Sequence, residues 1–107
     1  MKLITVPMNG ESGCYVGPLG KLQTRRIKAC LKENFKDATI TFKPNHYCCT
    51  AFLRFKEKVI YLSVSDYRYF PGSFVVREAK HEKDYTGGVN HYFLGLERIP
   101  EAIKSLL

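Results

Sequence analysis

ATITFKPNHYCCTAFLRFKEKVIYLSVS, residues 38–65, decides how the chain folds. In ATITFK (38–43), Ala38, Ile40 and Phe42 alternate with Thr39, Thr41 and Lys43. In HYCCTAFLRFK (46–56), Tyr47, Cys49, Ala51, Leu53 and Phe55 alternate with His46, Cys48, Thr50, Phe52, Arg54 and Lys56. In KVIYLSVS (58–65), Ile60, Leu62 and Val64 share one face, and Val59, Tyr61, Ser63 and Ser65 share the other. Successive side chains of a strand project to opposite faces, so this period of two predicts three strands, each with an apolar side. Pro44-Asn45 and Glu57 supply only short turns between them, which predicts an antiparallel meander.

Toward the C-terminus, SFVVREAKH (73–81) follows Pro71-Gly72 and reads as a fourth strand, and GVNHYFLG (88–95) reads as a fifth. ERIPEAIKSLL (97–107) reads as a short helix, with Pro100 suited to its first turn and Ile103 with Leu106 or Leu107 as its apolar stripe. Toward the N-terminus, Ile27, Cys30, Leu31 and Phe35 fall at helix-face spacing and predict a helix over 21–35, with Leu22 and Ala29 at its margin. KLITV (2–6) reads as a short strand ended by Pro7, and NGESGCYVGPLG (9–20), rich in glycine, as a loop. Strand, helix, about five strands and helix in that order predict an α+β fold. The expected architecture is an antiparallel sheet of about five strands, with a helix in the N-terminal half and a short C-terminal one packed on one face. At 107 residues, this is expected to be a single domain over 1–107.

Composition narrows the function. With 45% hydrophobic and 25% charged residues the chain has globular composition. No apolar run approaches the ~20 residues that span a bilayer, so no membrane partner is expected. MKLITVPMNGESG (1–13) lacks the longer apolar core and cleavage site of a signal peptide, which predicts a cytoplasmic protein. Cys14, Cys30, Cys48 and Cys49 contain no C-x-x-C, and Cys48 and Cys49 point to opposite faces of a strand. His46 and Cys48 share a face, but no second ligand pair follows at zinc-finger spacing, so free buried thiols are expected and no metal. Gly17 and Gly20 precede Lys21-Leu22 without the spacing or the Ser/Thr of a phosphate loop; no nucleotide or other cofactor is expected. Seventeen Lys and Arg against ten Asp and Glu give a net +7, which favours polyanionic or acidic partners.

Within the predicted helix, Lys21, Arg25, Lys28 and Lys32 recur at intervals of four, three and four, placing them in one stripe flanked by Arg26 and Lys36. Glu33 is the only acid there. A second basic cluster, DYRYFPGSF (66–74), sets Tyr67, Tyr69 and Phe70 around Arg68, with Arg77 and Lys80 on the next strand. Aromatics interleaved with Arg and Lys can stack bases while neutralising phosphates, and Phe52, Tyr61, Arg54 and Lys56 would extend such a platform. The same aromatics are equally the material of a small core. HEKDYTGGVNHYFLG (81–95) crowds His81, Asp84, Tyr85, Asn90, His91 and Tyr92 around Gly87-Gly88. A His pair beside a carboxylate is suited to acid–base chemistry. A hairpin tip, however, draws Gly, Asp and Asn for conformational reasons alone, and the hairpin reading is the one adopted, with Gly87-Gly88 expected at positive φ.

IKACLKENFKDATITFK (27–43) resembles the helix-to-strand segment of a polyvalent-protein-associated domain of phage and plasmid proteins, through Ile27, Lys28, Leu31, Lys32, Phe35, Thr41 and Lys43. Lys36-Asp37 stands where that family carries Pro-Gly, and no Trp-Asp-Gly-Pro-like segment follows. The resemblance implies a mobile-element origin and assigns no functional residue. The expected function is non-enzymatic binding of nucleic acid, or of a nucleoprotein complex, through the basic helix face. Lys21, Arg25, Arg26, Lys28, Lys32, Arg54, Tyr67, Arg68, Tyr69, Arg77, His81, Tyr85 and His91 are its candidate contacts. The rival is a protein-binding inhibitor or adaptor, such as an anti-defence protein docking on a host complex. A third reading is a small hydrolase or nuclease using His81 and His91.

Overall fold

The computed structural model describes residues 18–44, 48–64, 73–85 and 87–107. Helix α1 (Pro18–Asn34) is followed by strands β1 (Thr39–Pro44), β2 (Cys49–Arg54), β3 (Val59–Val64), β4 (Ser73–Ala79) and β5 (His91–Leu94). A single 3-10 turn, Leu96–Arg98, leads into α2 (Ile99–Lys104). The five strands form one sheet in the order β1-β2-β3-β4-β5, each pair antiparallel. The meander read from residues 38–65 is thus present, extended by β4 and β5. The strand expected at 2–6 lies outside the described residues.

Helix α1 begins at Pro18, three residues before the expected start. Proline lacks the N–H that the first helical turn leaves unused and has its φ already set, so Pro18 opens the helix where the sequence suggested a loop. Gly20 lies within the helix, where its carbonyl accepts a hydrogen bond from Thr24 Oγ1 at 3.0 Å.

One core cluster joins Ile27, Cys30, Leu31 and Phe35 with Cys49, Ala51, Leu53, Ile60, Leu62, Val64, Phe74 and Val76, and with Leu96, Ile99, Ala102 and Ile103. The members from β2 and β3 belong to the apolar faces expected from their alternation; Phe74 and Val76 of β4 join them. Phe35 meets Phe55 edge-on at 5.8 Å. Lys58 Nζ donates to the Leu106 carbonyl at 2.9 Å and pairs with Glu78 at 3.2 Å, tying the chain end to the sheet.

The other side of the sheet carries a second set of buried side chains. Register places Thr41, Phe52, Tyr61 and Arg77 in one row across four strands. Phe52 is fully buried, and Val59, Thr50 and Arg77 are buried with it. An exposed platform through Phe52 is therefore ruled out. Residues 80–85 fold back over this row, laying the Tyr85 ring against Phe52 at 5.2 Å and Tyr61 at 6.0 Å.

Candidate nucleic-acid interface

The charge of the chain is unevenly placed. Residues 18–36 hold six Lys and Arg and one acid, whereas the rest of the chain holds eleven against nine. Five of the seven net charges thus belong to α1 and the turn after it. Because Gln23, Ile27, Cys30 and Leu31 turn inward, the helix presents Lys21, Arg25, Lys28 and Lys32 to solvent, with Arg26 half-buried. At 1.5 Å per residue, the stripe runs about 16 Å from Lys21 to Lys32. That matches the axial advance of about five phosphates on one DNA strand. Lys28 Nζ stands 5.9 Å from the Phe42 ring, leaning toward β1. The first turn of α1 holds no acid, so the positive end of the helix dipole adds to the field of the stripe.

The remaining candidates are divided by the fold. Arg77 is buried, which removes it from any exposed contact surface. Its guanidinium lies 4.3 Å from the Tyr61 ring, Nη2 donates to the Asp84 carbonyl at 2.5 Å, and Nη1 stands 3.8 Å from the Asp84 carboxylate. That carboxylate accepts the Lys80 and Gly87 backbone N–H groups at 2.9 Å each, so Asp84 shapes the loop while Arg77 anchors it to the sheet. Sequence reasoning sets Asp84 at a hairpin tip beside two histidines and does not identify Arg77 as its partner. The signal for its role was the Asp three residues before a glycine, a side chain that commonly captures a nearby N–H.

Arg54 is engaged by both carboxylate oxygens of Glu82, one of them through its Nε and the other through Nη2 at 3.1 Å. The guanidinium's hydrogen bonds hold the Glu82 carboxyl down at about 2. Tyr85 remains about half exposed while its ring packs on Phe52 and Tyr61. His81 Nδ1 accepts the Lys83 N–H at 3.1 Å, whereas His91 sits exposed on β5 opposite Val76. The two imidazoles stand on different elements with different neighbours. Of Gly87 and Gly88, only Gly88 has positive φ among the described residues, at 87°, and the place of Gly87 is set by Asp84. Tyr67, Arg68 and Tyr69 lie outside the described residues.

Burial pushes the Cys49 thiol up to about 11, partly offset by a hydrogen bond with Thr24, and burial also raises Cys30. Cys30, Cys48 and Cys49 are not in disulfides, and no described group of three His, Cys, Asp or Glu is placed to hold a metal. No described helix is long and apolar enough to cross a membrane. Comparison of the chain with known protein families, curated proteins and solved structures returns no match.

Proposed function

We propose that this protein binds nucleic acid through the exposed basic face of α1 and catalyses no reaction on it. The observation that carries the reading is the concentration of charge: six basic residues against one acid in 18–36, four of them aligned and solvent-facing. Both helices cover one side of the sheet in this reading, as their shared core cluster supports, and the exposed α1 stripe faces away from that core. A mobile-element origin, supported by the resemblance of residues 27–43, and a cytoplasmic site of action belong to the same proposal. Four phosphate contacts give a salt slope near −3.6 on duplex DNA, so affinity should fall about 150-fold between 50 and 200 mM salt. Changing Lys21, Arg25, Lys28 or Lys32 to Gln should each flatten that slope by about one unit. Absence of binding at low salt would overturn the proposal.

A specific observation favours the rival, a protein-binding inhibitor or adaptor. Val89, Tyr92 and Leu94, on and just before β5, are 73%, 77% and 65% exposed, and β5 carries no Lys, Arg, Asp or Glu. Charge on an edge strand discourages strand addition, and the β1 edge has Lys43 and ends in Pro44. On the rival reading, a nuclease-treated host lysate yields a partner retained by the wild type and lost from Tyr92→Lys.

A further inference from the structure

We infer that the hollow between the end of α1 and the start of β1 takes one unpaired nucleobase with its phosphate, making the protein a single-strand binder. The inference rests on the nucleic-acid reading above and names its substrate class. Lys32, Phe35, Lys36, Ala38 and Ile40 line this hollow, which has a volume of about 290 Å³. Lys32 is also the last residue of the basic stripe, so a strand whose phosphates follow α1 arrives at the hollow's mouth.

The chemistry of the lining separates a base from a bare anion. Phe35, Ala38 and Ile40 give an apolar floor, which offers nothing to inorganic phosphate, while Lys32 and Lys36 at the rim are exposed. Lys104 of α2 brings a third ammonium within 6.0 Å of the Phe35 ring. Glu33 and Asp37 are neighbours in sequence but do not line the hollow. An apolar floor with a cationic rim suits the face of a flat aromatic ring joined to an anion. Enclosed ligand sites run to ~300–1,000 Å³, so this smaller hollow has room for one nucleotide and no more.

The hollow is also preformed. The Phe35 N–H donates to the Leu31 carbonyl at 2.9 Å and the Ala38 N–H to the Phe35 carbonyl at 3.2 Å, fixing the turn that shapes it. Phe55 packs edge-on behind Phe35. Bases in a duplex are stacked and paired, so only a single strand, an overhang or a loop can present one here.

The test uses the whole chain with isotope-labelled methyl groups, titrated separately with adenosine 5′-monophosphate, adenosine and inorganic phosphate. The expected result is movement of the Ala38 and Ile40 methyl signals with the nucleotide, less with adenosine, and none with phosphate. In parallel, Ala38→Glu, which places a carboxylate over the floor, should lower affinity for a single-stranded 12-mer at least tenfold and for a hairpin duplex less than twofold. Lys36→Ala, at an exposed position, provides a second variant with the same preference and a smaller loss. Equal losses on single strand and duplex, or methyl signals unmoved by the nucleotide, would overturn the inference. If neither oligonucleotide binds at low salt, the basic-helix proposal fails, and the mononucleotide titration alone decides for or against the hollow.

Discussion

Replacing Arg77 with Met separates a structural arginine from a binding one. Met keeps the apolar stem over Tyr61 and removes the guanidinium. The hydrogen bond to the Asp84 carbonyl is charge-assisted, worth about 1.5–3 kcal/mol. The contact with the Tyr61 ring at 4.3 Å is desolvated, worth about 2 kcal/mol. Against these stands relief at Nη1, which is buried without a hydrogen-bond partner, a penalty of about 1–3 kcal/mol. The Asp84 carboxylate keeps its two backbone donors, so it is not left bare. The net loss is about 2 kcal/mol, which in a domain near 100 residues lowers Tm by about 10 °C. Differential scanning calorimetry reads the shift, and a salt titration of oligonucleotide affinity below the transition should match the wild type. An unchanged Tm together with weakened binding would refute the reasoning and return Arg77 to the contact surface.

Gly88→Ala should be the costlier of two alanine changes: its Cβ would stand 2.7 Å from the Glu78 carbonyl at a φ of +87°, a strain of about 1–2 kcal/mol before any clash. Gly87→Ala meets only the Asp84 side-chain oxygens, at 3.0 Å, so urea midpoints should fall in the order wild type, Gly87→Ala, Gly88→Ala, and the reverse order of the two variants would contradict the loop geometry. Alkylation at pH 8 should modify Cys48, which is half-buried, before Cys30 and Cys49, whose thiols are raised by burial; labelling of folded Cys49 as fast as Cys48 would count against the packing of α1 on β2. Glu82 is depressed from 4.5 to about 2, chiefly by Arg54, so the pair's contribution is present above pH 4.5 and is lost as pH falls through 2. The pair is solvent-screened, so the readout is the carboxyl carbon shift, and a Glu82 midpoint near 4.5 would show that the ion pair does not form in solution.

The sheet was legible because alternation in residues 38–65 is unbroken and the turns are too short for any crossover. The helix start was not, because Pro18 and Gly20 have loop composition, and the first-turn tolerance of proline explains how Pro18 can open the helix. Gln23 is legible as an inward residue from its spacing. It lies four residues before Ile27 and seven before Cys30, on the apolar stripe, and it is fully buried with both amide atoms unpartnered. The second face shows the limit of periodicity. Alternation groups Thr41, Phe52, Tyr61 and Arg77 on one side, but it carries no information about residues 80–85 folding back to cover them.

That limit also separates the cations paired within the fold from those left facing solvent. A net charge of +7 counts every cation equally, yet Arg54, Lys58 and Arg77 have carboxylates within the fold. Their charge is spent internally, on long-range contacts that no local pattern encodes. Lys21, Arg25, Lys28 and Lys32 have no such partner among the described residues, and their shared face follows from helix periodicity alone. A charge without an internal partner keeps its field for an external one, and like charges three and four residues apart raise the energy of the free helix by a few tenths of a kcal/mol per pair. On the proposed reading, an anion on the stripe would relieve that repulsion, so α1 would gain stability by binding where a salt-bridged helix would lose it.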